Sequence, residues 1–158
     1  MNNFDVMKRL NIPEYWRQKH VVLSTYDDVI QHYSHLRKKG WQNTFGTAWQ
    51  LAAFDVKRNL KDTSELRYAY HITTPDKLED IFEGYIGISK NPHKRFMSHR
   101  WAARKNKFPN RRMCQFMQKH YDDAVLIIFA CTRNRLTEMM EQMLRNGRNI
   151  GWNTRIGG

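Results

Sequence analysis

The chain has 158 residues, 41% hydrophobic and 13% aromatic, and 27 Lys and Arg against 15 Asp and Glu give a formal net charge of +12. That apolar share can build a core and excludes disorder throughout, and the length suits one ordinary domain or a small domain with an extension. The basic excess points to a polyanion, either nucleic acid or an anionic membrane. A membrane span is not expected, because the longest apolar run, residues 124–131, is far shorter than the roughly 20 residues a helix needs.

Met1-Asn2-Asn3-Phe4-Asp5 lacks the charged-then-apolar pattern of a secretory leader. The two cysteines, Cys114 and Cys131, sit in no metal-type spacing and offer no disulfide framework. A reducing, cytoplasmic location is therefore expected, with both thiols as ordinary half-buried residues.

The first sixty residues read as helical. Ser24 or Thr25 can cap a helix with Asp27 and Asp28 in its first turn. Val29, Ile30, Tyr33 and Leu36 follow at helical spacing, and Arg37, Lys38 and Lys39 precede Gly40. A second helix is expected from about Thr47, with Phe45, Trp49, Ala53, Val56 and Leu60 as its apolar stripe. Such a hairpin can either recognise DNA or act as a helical cap on the rest of the chain. The polar stretch 59–64 marks the boundary, giving a helical extension over residues 1–62 and a main domain over 63–158.

Beyond it, Tyr68-Ala69-Tyr70-His71-Ile72-Thr73 and Tyr85-Ile86-Gly87-Ile88 read as strands, with a turn at Thr74-Pro75-Asp76 and a helical turn from Lys77 to Phe82. Asn91-Pro92 opens a helix running past Ala103, with Pro in the first helical position. Phe108-Pro109-Asn110 breaks it, and residues 111–120 form another. The apolar run 124–130 suits a central strand. Thr132 or Asn134 then starts a last helix bearing Leu136, Met139, Met140, Met143 and Leu144.

Charge is concentrated. Residues 84–121 contain no Asp or Glu but ten basic residues: Lys90, Lys94, Arg95, Arg100, Arg104, Lys105, Lys107, Arg111, Arg112 and Lys119. Phe96, Trp101, Phe108 and Phe116 are interleaved with them. So one-sided a strip repels itself unless an anion lies against it, which favours a nucleic-acid surface over an ordinary solvated face. Arg95 and His99 lie four apart and share a helix face. A guanidinium there can fork onto a phosphate, while an imidazole can donate a hydrogen bond or carry a proton. Glu141, among Met139, Met140, Met143 and Leu144, can ligate a hard cation or simply face solvent. His32 and His35 lack partners for a transition-metal cage and read as structural or surface residues.

Together these positions resemble the GIY-YIG nuclease family. Tyr68-Ala69-Tyr70 and Tyr85-Ile86-Gly87 are similar to its two naming strands. Arg95 falls eight residues after Gly87 and His99 four later, as in the family's next segment. Glu141-Gln142-Met143-Leu144-Arg145 and Asn149-Ile150-Gly151-Trp152-Asn153 resemble its glutamate helix and terminal Asn motif. The likeness covers roughly residues 67–158. Tyr-Ala-Tyr stands where the family usually has Gly-Ile-Tyr, and the gap between the tyrosines is longer than in compact members.

The resemblance implies an α+β fold with a small three-stranded antiparallel sheet flanked by helices and preceded by the N-terminal helical extension. It also implies a single-site, metal-dependent endonuclease hydrolysing phosphodiesters of double-stranded DNA. Glu141 would hold Mg²⁺ or Mn²⁺, and Arg95 would stabilise charge on the phosphate. Tyr70, then Tyr85, would orient or deprotonate the attacking water with His99 assisting, and Lys90, Lys94 and Arg95 would tune the phenol. Gly87 permits a close backbone approach or ends its strand, and Asn153 supports the site's geometry. Lys90, Lys94, Arg100, Arg104, Lys105, Lys107, Arg111 and Arg112 would contact nucleic acid. Cutting both strands would need a dimer or rebinding. Size and module content are analogous to phage or mobile-element nucleases. The alternative is a non-catalytic nucleic-acid-binding protein that keeps the fold.

Overall fold

β-branched and aromatic runs supply the strands, and the segments between them supply helices that cover both faces of one sheet. The computed structural model describes residues 3–23, 26–33, 67–81, 83–105 and 111–132. In order these form α1 (Asn3–Arg9), α2 (Glu14–Arg17), β1 (His20–Val22), α3 (Tyr26–His32) and β2 (Arg67–Thr73). A 3₁₀ turn (Pro75–Lys77), β3 (Tyr85–Ser89), α4 (Pro92–Arg104), α5 (Arg111–Lys119) and β4 (Val125–Thr132) follow. The architecture is α+β.

The sheet has four strands in the order β1-β4-β2-β3. β2 pairs antiparallel with β3 and with β4, and β1 lies parallel to β4 with His20 opposite Leu126. The expected three-stranded antiparallel sheet is therefore corrected to a four-stranded mixed one. The extra strand comes from the first sixty residues, which are not helical throughout. β1 is only three residues long, a length that leaves little unpaired edge exposed to other chains. Between β2 and β4 the register slips at Ala69/Tyr70: Ala69 faces Ala130 and Tyr70 faces Ile128, leaving Phe129 as the extra residue of a bulge.

Alternation along the strands sorts side chains to two cores. Tyr68, Tyr70, Ile72, Tyr85, Leu126 and Ile128 meet Val6 and Leu10 of the α1 segment, Phe96 and Ala103 of α4, and Met113, Cys114 and Met117 of α5. On the other face Ala69, Ile86, Ile127 and Phe129 meet Val29 and Tyr33 of the α3 segment, with Ile81. β2 is buried from Tyr68 to Thr73 because helices lie against both of its faces.

α4 forms where the sequence predicts it. The Asn91 side chain accepts the Lys94 N–H at 3.1 Å, and Pro92 occupies the first helical position, where no N–H is needed. Its buried residues, Pro92, His93, Phe96, His99 and Ala103, recur at three- and four-residue spacing and set one stripe on the sheet. α3 carries Asp27 and Asp28 in its first turn as expected, and the turn predicted at Thr74-Pro75-Asp76 is a 3₁₀ turn over Pro75–Lys77. The helical turn predicted from Lys77 to Phe82 does not form over the described residues 78–81. The thiol of Cys114 is buried rather than half-buried. The predicted helix near Thr47, the boundary at 59–64 and the last helix with Glu141 lie outside the described residues.

Candidate active site

Three elements converge at one corner of the sheet. Tyr70 comes from the middle of β2 and Tyr85 and Gly87 from β3, while Arg95 and His99 come from the first half of α4. Tyr70 is paired in register with Gly87. Its phenol lies across the neighbouring strand at that glycine: a Cβ built on Gly87 would stand 2.6 Å from the Tyr70 Oη and 2.7 Å from its Cζ. The glycine thus makes room for a side chain, a more specific role than the backbone approach or strand ending that its sequence position offers.

The Tyr70 hydroxyl faces His99 Nε2 at 3.5 Å, a long contact at the limit of a hydrogen bond. The Tyr85 ring meets the His99 imidazole edge-on with centroids 5.3 Å apart, and lies 6.2 Å from the Tyr70 ring. All three are buried. Burial lowers the His99 pKa to about 3, with the Arg95 charge as a second cause, so the imidazole is neutral near neutral pH. When Nε2 carries no proton, the Tyr70 O–H donates to it. Arg95 is exposed on α4 one turn before His99, so its guanidinium is presented to solvent beside the buried cluster.

Lys90, Lys94, Arg104, Lys105 and Arg112 are exposed. Arg100 is not like them. Its guanidinium lies 4.7 Å from the Trp16 ring centroid and 4.0 Å from that of Tyr121, and its Nε donates to the Tyr121 carbonyl at 3.2 Å. The half-buried side chain ties α4 to α2 and to the turn before β4, which removes much of its freedom to reach a ligand. Lys107, the Arg111 side chain, Glu141 and Asn153 lie outside the described residues. Among the described residues no group of three His, Cys, Asp or Glu is placed to hold a metal ion, and no helix is long and apolar enough to cross a membrane.

Three histidines not singled out by sequence prove to be buried connectors. His20 Nε2 and His93 Nδ1 share a proton-bridged contact of 3.0 Å that joins β1 to the start of α4, with Trp16 stacked on His20. Burial, then the charge of His93, lowers the His20 pKa to about 4. His71, on the face of β2 away from Tyr70, donates through Nε2 to the Glu83 carbonyl, so its Nδ1 accepts from the Tyr33 hydroxyl at 3.0 Å. His32 bonds the Leu78 carbonyl at 2.7 Å, consistent with a structural reading.

The chain matches no family model, no curated protein and no solved structure.

Proposed function

We propose that the chain is a metal-dependent endonuclease of the GIY-YIG kind, hydrolysing phosphodiester bonds of DNA. The observation that carries this reading is the single cluster formed by Tyr70, Tyr85 and His99 around the space left by Gly87, with Arg95 exposed beside it. Residues far apart in the sequence meet where a hydrolytic site needs an orienting hydroxyl, a proton acceptor and an anion clamp.

Each group has a role that its surroundings support. Arg95 offers a fixed fork of donors to a phosphate and stabilises the charge that builds up as the bond breaks. Tyr70 orients the attacking water, its own O–H directed at the neutral His99. Arg95 helps keep that imidazole neutral, so a phosphate seated on the guanidinium offsets the repulsion and strengthens His99 as a proton acceptor once substrate arrives. Tyr85 fixes the imidazole plane from the side. The carboxylate that a hard cation prefers would be Glu141, as the resemblance to the GIY-YIG family implies. When bound there, Mg²⁺ or Mn²⁺ supplies neutralisation of phosphate and leaving-group charge. Lys90, Lys94, Arg104, Lys105 and Arg112 extend a basic surface from Arg95, on which a DNA backbone can lie. One such site cuts one strand, so cutting both takes a second copy or rebinding.

The test is nicking of supercoiled plasmid in Mg²⁺, Mn²⁺ and EDTA by the wild type, Glu141→Ala and Tyr70→Phe. Metal-dependent nicking, lost in Glu141→Ala while DNA binding persists, supports the nuclease. In Tyr70→Phe a fall of roughly 10²- to 10⁴-fold is expected if the hydroxyl handles the water. Salt-sensitive binding without cleavage in either metal overturns the nuclease in favour of a binding protein of the same fold.

A further inference from the structure

Trp101 is 57% exposed on α4. A lone exposed ring means little, and its neighbours give it meaning. At about 100° per residue, Lys94, Ser98, Trp101 and Lys105 fall within about 60° of arc on one ridge of the helix. All four are exposed, opposite the stripe that packs on the sheet. The ridge therefore sets one large ring between two ammonium groups, within a described stretch, residues 83–105, whose only acid is Glu83 at its start. Arg95 lies on the flank of the ridge that turns toward His99.

The arrangement fits a polyanion that also carries flat apolar faces. An acidic peptide matches the charge but leaves the ring unused. A lipid surface rewards several inserted apolar side chains, and the ridge offers one. In a duplex the base faces are stacked on each other and closed to a protein ring. In a single strand they are open, and stacking on aromatic side chains with phosphates on nearby cations is how such strands are held.

We infer that the Lys94–Trp101–Lys105 ridge binds single-stranded nucleic acid, one unpaired base stacking on Trp101 while flanking phosphates meet the lysines. Trp101 follows Arg95 by six residues, about 9 Å along the helix axis. A base on Trp101 and a phosphate at Arg95 would therefore belong to nucleotides close together in one strand. The preferred substrate is DNA with unpaired bases close to the scissile phosphate, such as a fork, flap or bubble. This placement beside the cut rests on the nuclease reading, whereas the binding itself does not.

Fluorescence anisotropy in EDTA tests the inference with the full chain, a labelled oligothymidylate and a duplex of equal length. Trp101→Ala is expected to weaken oligothymidylate binding roughly five- to a hundredfold while leaving duplex binding unchanged. Trp101→Phe should recover most of the loss, which separates stacking from misfolding. Lys94→Ala should weaken both ligands and flatten the salt dependence. Equal losses on both ligands in Trp101→Ala, or no loss on either, overturn the ridge. So does Trp101-dependent binding to phosphatidylserine vesicles without Trp101-dependent binding to the oligonucleotide. Metal-dependent plasmid cleavage by a protein whose single-strand binding ignores Trp101 sinks the ridge and leaves the nuclease standing. Trp101-dependent binding without any cleavage supports the ridge and sinks the nuclease.

Discussion

Replacing Gly87 by alanine puts a methyl group where the Tyr70 ring already lies. The new carbon would be 2.6 Å from Oη, 2.7 Å from Cζ and 3.0 Å from Cε1 of Tyr85. Carbon atoms pack at about 3.5 Å, so the phenol must retreat by roughly 0.8 Å or more. The two backbones cannot separate freely, because Tyr70 and Gly87 are register partners and β2 is held by β4 on its other side. Such a shift disturbs a Tyr70–His99 contact that already lies at 3.5 Å, the limit of a hydrogen bond. Overpacking costs about 1–3 kcal/mol. The lower chain entropy of unfolded alanine offsets about 0.4–1 kcal/mol of this. A net loss of about 1–2 kcal/mol in urea unfolding is expected. In plasmid nicking, misplacement on this scale should lower the rate roughly 10²-fold. In a Tyr70→Leu background the two closest contacts are gone and only the Tyr85 ring edge remains, so the stability penalty should shrink and the two changes should couple. Wild-type stability and nicking in Gly87→Ala, or an equal penalty in both backgrounds, would refute the account of why a glycine stands there.

The buried histidines make stability depend on pH. His20 and His71 have folded pKa values lowered from 6.5 to about 4, so between these values the unfolded chain binds more protons. Stability is complete above pH 6.5 and falls as pH drops toward 4, by at most about 3 kcal/mol for each histidine at 1.36 kcal/mol per unit. Melting temperatures across that interval check this, and a flat profile would remove the argument. Arg95→Lys keeps the charge but loses the fork, so nicking should fall roughly 10²- to 10³-fold with unchanged melting, since Arg95 is exposed. A lysine variant that cuts normally would leave Arg95 as a mere surface charge. Arg100→Ala should instead lower stability by about 1–2 kcal/mol, because it removes stacking on Trp16 and Tyr121, measurable by urea unfolding. Lys94→Ala, at an exposed position of the same helix, is the control for stability alone.

The legible parts of the fold are those that local chemistry decides. β2, β3 and β4 are β-branched and aromatic runs ended by turn residues, and α4 announces itself through Asn91-Pro92. β1 was hidden because His20-Val21-Val22 is too short to show a period and is held by β4, a partner no local pattern reveals. At the candidate site, the spacing of Tyr85, Gly87, Arg95 and His99 was readable, but the reason for Gly87 was not, since it depends on a ring from another strand. His20 and His93 are 73 residues apart, which conceals their pairing. Arg100 looked like every other base in its strip; only the aromatic groups around it reveal that it turns inward.

The parallel pairing of β1 with β4 also bears on how the chain is made. His20 meets Leu126 across 106 positions (126 minus 20), one of the longest closures the described sheet requires. During synthesis β1 must wait for nearly the whole described chain to emerge, whereas β2 and β3 can form a hairpin as soon as they appear. Val6, Leu10 and Val22 belong to the same core as Tyr70, so until β4 arrives they have no complete surface to cover. The early chain therefore exposes apolar side chains, and the corner holding Tyr70 gains its full support only in the last steps of folding. Removing residues 3–23 would strip that support from the corner that holds Tyr70.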